Sequence, residues 1–532
     1  MLNQGVGSWL ERKRVKSQAH PVAIFHDQQL TYAQLADQAN ALAHALQEWG
    51  VGSGARVAYL GENHPSFLQT FFATTQIGAV FVPLNTRLSP PELNFQLLDS
   101  EVHVVVVSEA LRTTAEAALP GSPVTQLVVV EDEFTQGLQG HPVLHGVNVS
   151  YLGKVTAEGS TTYVDHRVAQ EDPAMVLYTS GTTGRPKGAV LTHGNLIWNS
   201  MNVLVDYDIV STDVALMISP MFHVASLGMG VLPTILKGGT LVLEAGFEPG
   251  RVLELIEQYK ATMISGVPTT YQMLCEHPNW PSTDISSLKK LTCGGSAVPL
   301  RVLEEYERRG LSFTGGYGMT ETAPGATSLQ PDRSKSKIGS AGLPHFFTSV
   351  RIATETDQPA PTGEVGEIQI QGPNVIGEYL KRPEASRDAF SADGWFKSGD
   401  MGYMDEEGFL FITDRLKDMI ISGGENIYPA EIEQLILQNP DISAVAVIGV
   451  EDAKWGEVPL ACVVMREGAQ CDPEVIKSAL FGNLAKYKIP KYFAQLDELP
   501  RTASGKIRKV DLKKLFPTAP TIPFIDLRTK EL

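Results

Sequence analysis

The chain has 532 residues, too many for a single hydrophobic core, so two or more domains are expected. A net charge of −17 excludes a general nucleic-acid-binding role. The four cysteines, Cys275, Cys293, Cys462 and Cys471, form no C-x-x-C pair, which argues against a zinc site or a disulfide framework and fits a reducing cytoplasm.

Met1 to Leu10 lacks the apolar core of a signal peptide, and no run is long and apolar enough to span a bilayer; peripheral membrane contact is left open. Thr31 is placed to cap a helix whose apolar positions are Leu35, Ala39, Leu42, Ala43 and Leu46, ended by Gly50 and Gly52. Strands are expected at Arg56–Leu60, Ala79–Leu84, His103–Val107 and Leu127–Val130, with a helix over Phe67–Ile77. Leu138 to Val168 reads as irregular and polar. Ala174–Tyr178 reads as a buried strand. Beyond it the alternation continues: strands at 215–219, 241–243, 263–265 and 291–293, helices at 227–236, 251–259, 269–276 and 300–309. This pattern predicts layered α/β sheets, largely parallel.

From Ser349 the half-buried strands Glu367–Ile370 and Phe409–Ile412 suggest a β-rich subdomain over 349–414. A major boundary is expected near Arg415. A small α+β unit follows, with helices at 430–438 and 473–486 and strands at 444–450 and 461–465.

The chemistry concentrates in a few stretches. Tyr178-Thr179-Ser180-Gly181-Thr182-Thr183-Gly184-Arg185-Pro186-Lys187-Gly188 combines glycines, hydroxyls and cations, which suits a phosphate cradle. It is not a Walker A loop, because Pro186 precedes the lysine and Gly188 follows it. Gly315-Gly316-Tyr317-Gly318-Met319-Thr320-Glu321-Thr322 is a second glycine-rich stretch. Ser398-Gly399-Asp400 alone is a turn. Met221-Phe222-His223 alone is structural. Pro500–Lys509 alone is a solvated basic turn, and Met419–Glu433 alone is a strand, a glycine turn and a helix started by Pro429.

Together and in this order, these stretches resemble the adenylate-forming (acyl-CoA synthetase, AMP-binding) superfamily over nearly the whole chain. The resemblance implies that Thr179, Ser180, Gly181, Thr182, Thr183 and Lys187 grip ATP phosphates. It implies that Tyr317, flanked by Gly316, Gly318 and Met319, stacks on adenine, that Thr320 meets the α-phosphate and that Glu321 holds Mg²⁺. Asp400 and Arg415 would take the ribose. His223 would wall a carboxylate pocket that Ser226, Gly294, Gly295, Gly315 and Gly316 also line. Lys506 would bridge carboxylate and phosphates as the principal catalytic charge, with His223, Thr320 and Glu321 beside it. Lys417 falls at the family's hinge, within 415–417, and Ser422, Gly423 and Gly424 would let the pantetheine arm of coenzyme A pass.

The implied architecture is an N-terminal domain over 1–414 and a mobile C-terminal domain over 418–532. The implied activity is ATP-dependent ligation of a hydrophobic carboxylic acid, a fatty or an aryl acid such as ferulate, to coenzyme A. The alternative is an adenylation enzyme that loads a carrier protein. A monomer or homodimer is expected. Likeness at Asn3–Trp9 and Leu191–Asn199 is to feruloyl-CoA synthetase-type members. The chain departs from many relatives at Gly315, where they have Gln, and has Ala225 where cinnamate-preferring members often have Tyr.

Overall fold

The structure is a computed structural model. It describes residues 1–131, 143–144, 146–179, 186–294, 298–415, 418–422, 425–452, 454–481, 484, 486–501 and 507–528. By contact the chain divides into two compact units, Met1–Val350 with Ile370–Phe396, and Arg351–Gln369 with Lys397–Leu532. Residues 351–369 and 397–414 thus group with the C-terminal residues, whereas the sequence reading joins them to the N-terminal domain.

The first unit is built on sheets covered by helices. One sheet runs in the order Glu378–Tyr379, Lys187–Thr192, Pro173–Thr179, Val80–Pro83, Arg56–Leu60, Val102–Ser108, Gln126–Val130, Val147–Tyr151 and Val143–Leu144. Its middle strands are parallel, and the pair Pro173–Thr179 and Lys187–Thr192 is antiparallel. Alternate residues of Arg56–Leu60 enter different cores. Val57 and Tyr59 join helices Tyr32–Glu48 and Pro65–Gln76, whereas Ala58 and Leu60 join helices Pro90–Asp99 and Arg112–Ala118. This is the period-2 alternation of a strand buried on both faces.

A second set of strands shows the same logic. Ala215 and Met217 of Val214–Met217 face the first core. Leu216 and the following Ile218 face another, with helices Pro249–Tyr259, Pro268–Cys275 and Leu300–Arg308. Phe81 is fully buried, edge-on to Phe67 at 5.2 Å and to Phe71 at 5.4 Å. Thr31 caps its helix as expected: its hydroxyl accepts from Gln34 N–H at 3.2 Å, and Gln34 Oε1 accepts from Thr31 N–H at 2.9 Å.

The second unit carries a sheet ordered Glu425–Ile427, Ile420–Ser422, Gly456–Met465, Tyr492–Gln495 and Phe524–Asp526, with Ile442–Asp452 also paired to Gly456–Met465. Val445 and Val447 face helices Pro429–Ile436 and Pro473–Leu480. Ala446 and Ile448 face helix Lys509–Leu515.

Four expectations change. A helix at Trp9–Ser17 precedes the one read as first. Part of the stretch read as irregular forms the strand Val147–Tyr151 and the helix Leu152–Glu158. The strand does carry an apolar alternation, Val147, Val149 and Tyr151 between Asn148 and Ser150, but it is only five residues long and lies within a polar stretch, and the sequence reading passed over it. The helix expected over 227–236 is interrupted by a π-helical turn at Leu227–Val231 before Leu232–Lys237. There Gly228 lies against the Ala323 carbonyl, leaving 2.5 Å for a Cβ, so the helix meets the neighbouring backbone at a distance only glycine permits. The helix from Pro473 stops at Leu480, where Phe481 turns extended.

Candidate functional site

The strand Pro173–Thr179 ends where the phosphate-cradle stretch begins, and Lys187–Thr192 returns beside it with Lys187 opposite Thr179. Ser180, Gly181, Thr182 and Thr183 lie outside the described residues, as do Gly295, Lys417, Gly423, Gly424 and Lys506.

The second glycine-rich stretch forms the strand Phe313–Gly318 and the 3-10 turn Thr320–Thr322. A Cβ on Gly318 would stand 1.7 Å from the Pro324 carbonyl oxygen, so only glycine fits. Thr322 ties the turn. Its hydroxyl accepts from Met319 N–H at 3.0 Å and lies 2.6 Å from the Pro324 carbonyl. Buried amides support it from outside: Asn374 Nδ2 donates to the carbonyls of Thr322 and Gly325, and Asn199 Oδ1 accepts from Gly325 N–H.

This turn presents Glu321, a largely buried carboxylate, to the cradle strands. Thr179 Oγ1 lies 3.4 Å from Glu321 Oε1. Tyr379 donates its hydroxyl to the same oxygen at 2.9 Å, and Lys187 Nζ stands 5.3 Å over the Tyr379 ring. Thr179, Lys187 and Glu321, far apart in sequence, are therefore brought together. Burial, and then the charge of Glu321, raise the Tyr379 phenol well above its ordinary value, so it remains a proton donor. The cluster offers oxygen donors only, and the described residues contain no group of three or more His, Cys, Asp or Glu that could cage an ion. One carboxylate among hydroxyls fits a hard cation such as Mg²⁺, which takes most of its ligands from phosphates and water.

His223 lies just before the short helix Val224–Ser226. It shares a cavity of about 60 Å³ with Thr320, Tyr178, Leu177, Asn85 and Gln96. Asn63 holds the approach to it: Nδ2 donates to the Ser219 carbonyl at 3.0 Å and Oδ1 accepts from Met221 N–H at 2.8 Å. Ser226 is buried and directs its hydroxyl to the Ser219 carbonyl at 2.9 Å, so that hydroxyl serves the loop. Among the described residues, a Cβ on Gly294 would meet nothing within 4 Å, whereas on Gly315 it would touch Leu329 at 3.4 Å and on Gly316 the Tyr207 hydroxyl at 3.3 Å. Tyr317, Met319 and Thr320 are half-buried on the same strand and turn.

In the second unit Asp400 is buried on Phe396–Met404, directly opposite Arg415 of Leu410–Arg415 in the antiparallel register. Gly399 at φ +71° makes the bend before Asp400, and its N–H donates to Glu367 Oε1 at 3.0 Å. Ser422 is buried where Ile420–Ser422 meets Gly456. Arg501 pairs with Ile507 across the residues that include Lys506.

The sequence reading missed Tyr379, Asn63 and Asn374. Each is a lone polar residue chosen by tertiary neighbours, and no local pattern marks it.

Residues 10–380 match the family model of the AMP-binding enzyme, and residues 431–506 that of the AMP-binding enzyme C-terminal domain. The chain is 46% identical to a feruloyl-CoA synthase of an Amycolatopsis species, over 97% of this chain and 100% of that protein. It is 40% identical to an indoleacetate–CoA ligase of Aromatoleum aromaticum, over 96% and 98% of the two chains. Among solved structures it resembles the o-succinylbenzoate–CoA synthetase MenE of Bacillus subtilis in complex with ATP and magnesium ion. The TM-score is 0.83 at 33% identity, covering 95% of this chain and 99% of that one.

Proposed function

The chain belongs to the AMP-binding enzyme family and is an AMP-forming acid–thiol ligase that uses ATP, Mg²⁺ and coenzyme A, and we propose that its acid is an aryl acid of the hydroxycinnamate type, such as ferulate. The observation that carries this choice of acid is the 46% identity to a feruloyl-CoA synthase along 97% of the chain.

The reaction has two steps. A carboxylate oxygen of the acid attacks the α-phosphorus of ATP, pyrophosphate leaves and acyl-AMP forms. The sulfur of coenzyme A then attacks the acyl carbonyl, the thiol proton is lost and AMP leaves with its electron pair.

In this reading Thr179, Ser180, Gly181, Thr182, Thr183 and Lys187 hold the leaving phosphates, Tyr317 takes the adenine, and Thr320 takes the α-phosphate. Asp400 and Arg415 take the ribose hydroxyls, a diol that a carboxylate accepts from well. Lys506 offsets the charge of an anion attacking an anion. Glu321 would hold Mg²⁺, which when bound neutralises phosphate charge. His223 orients the acid, Lys417 is the hinge, and Ser422, Gly423 and Gly424 admit pantetheine. The named relatives are CoA ligases, which favours free coenzyme A over a carrier protein as acceptor.

The test is pyrophosphate release and thioester formation with ferulate, other hydroxycinnamates, indoleacetate, benzoates and fatty acids of varied length. Hydroxycinnamates should give the highest kcat/KM. A fatty acid preferred by about tenfold, or 1.4 kcal/mol of transition-state binding, would overturn the assignment.

A further inference from the structure

One segment, residues 376–382, fastens both sides of the Glu321 cluster. Ile376 N–H donates to the Glu321 carbonyl at 2.9 Å, and Leu380 N–H to the Gly188 carbonyl at 2.8 Å. Glu378 and Tyr379 pair with Val190 and Ala189 of the strand that follows the phosphate-cradle stretch. Lys381 and Arg382 reach across to Glu101 at 2.8 Å and Asp99 at 2.9 Å. Asp99 also accepts from the Tyr178 hydroxyl at 2.9 Å, which ties in the strand that precedes the cradle.

At the centre is Tyr379. Its hydroxyl and that of Thr179 both engage Oε1 of Glu321, and among the described residues no hydrogen bond reaches Oε2. The carboxylate is thereby held by one oxygen with the other left for a cation. The same ring lies under the Lys187 ammonium.

We propose that Tyr379 is a positioning residue for the first half-reaction: it fixes the rotamer in which Glu321 offers Oε2 to Mg²⁺ and stations Lys187 beside the same phosphates. This rests on the reading that Glu321 holds Mg²⁺. A carboxylate that must find its rotamer anew for each ion binds it more weakly, and loss of a supporting hydrogen bond typically costs about 10- to 100-fold in metal affinity.

The experiment titrates Mg²⁺ against the full-length wild type, Tyr379→Phe, Tyr379→Leu and Glu321→Gln in the presence of α,β-methylene-ATP, with binding read by calorimetry. ATP–pyrophosphate exchange and thermal unfolding are measured on the same samples. Tyr379→Phe keeps the ring and should raise the Mg²⁺ midpoint about tenfold. Metal-free nucleotide binding and the KM for the acid should stay within twofold. Tyr379→Leu should also weaken metal-free nucleotide binding, because Lys187 loses its ring. If Tyr379→Phe lowers the unfolding temperature with an unmoved Mg²⁺ midpoint, its role is structural and the proposal is overturned. If Glu321→Gln itself leaves the midpoint unmoved, the assignment of the metal to Glu321 falls, and the proposal with it.

Discussion

Substituting Gly318 by alanine adds one methyl group where the structure has least room. The new Cβ would lie 1.7 Å from the Pro324 carbonyl oxygen and 3.0 Å from Thr322 Oγ1, whereas real Cβ atoms essentially never come within 3.0 Å. The strand and the turn beyond it must therefore part by 1.3 Å, the difference between 3.0 and 1.7 Å. Overpacking of this kind costs about 1–3 kcal/mol in stability. The larger effect falls on catalysis. The displaced atoms are Thr322 of the turn that carries Thr320 and Glu321 and Pro324 just beyond it, and a misplacement of about 1 Å there costs on the order of 100-fold in rate. Gly318→Ala should thus lose about 100-fold in the kcat/KM of acid-dependent pyrophosphate release while remaining folded at 25 °C. Gly246→Ala, whose Cβ would have no atom of the described residues within 4 Å, is the control and should behave as wild type. Full adenylation activity in Gly318→Ala would refute the claim that close packing under the turn sets the geometry of Thr320 and Glu321.

Phe81→Ala removes a fully buried ring between Phe67 and Phe71 and should destabilise the first unit by about 3–5 kcal/mol, read as a shifted urea midpoint. His193 gives a pH dependence. Burial lowers its pKa to about 4, from 6.5, and its Nδ1 accepts from Val6 N–H at 3.1 Å. The folded chain keeps it neutral while the unfolded chain protonates it. Its contribution is therefore complete above pH 6.5 and disappears as pH falls toward 4, on the order of 3 kcal/mol in all. Urea unfolding of His193→Gln should show a shallower loss of stability between pH 7 and pH 4.5 than wild type; parallel curves would remove His193 as the cause. Lys506→Ala should cripple pyrophosphate release yet spare thioester formation from synthetic acyl-AMP, and equal loss in both assays would deny it a step-specific role.

The sequence made legible much of what is periodic or local. Val57 to Leu60 read as a strand because alternate residues meet different cores, and Thr31 read as a cap because it stands just before an apolar run of helical spacing, where the structure finds its partner Gln34 three residues on. Thr179, Lys187 and Glu321 were legible as a set only through resemblance; nothing in their spacing says that the chain brings them within reach. Tyr379 was not legible at all. It stands in the two-residue strand Glu378–Tyr379, too short to carry a pattern, and its partner Glu321 is 58 residues away. Asn63 and Asn374 stayed hidden for the same reason, since a buried amide is selected by the carbonyls around it rather than by its own helix or strand.

Asp400 and Arg415 stand opposite in the register of a hairpin, joined by a short turn between Met404 and Leu410. Closing such a hairpin takes about 1–10 μs in isolation and needs no distant part of the chain. The Glu321 cluster is of the opposite kind, because Thr179 is 142 residues from Glu321. Its loop-closure cost is met only when the first unit is nearly complete. The two sets of groups assigned to one nucleotide should therefore separate in hydrogen exchange. Amides around Asp400 should open with the local stability of their hairpin, while those around Glu321 should exchange only with cooperative opening of the whole first unit.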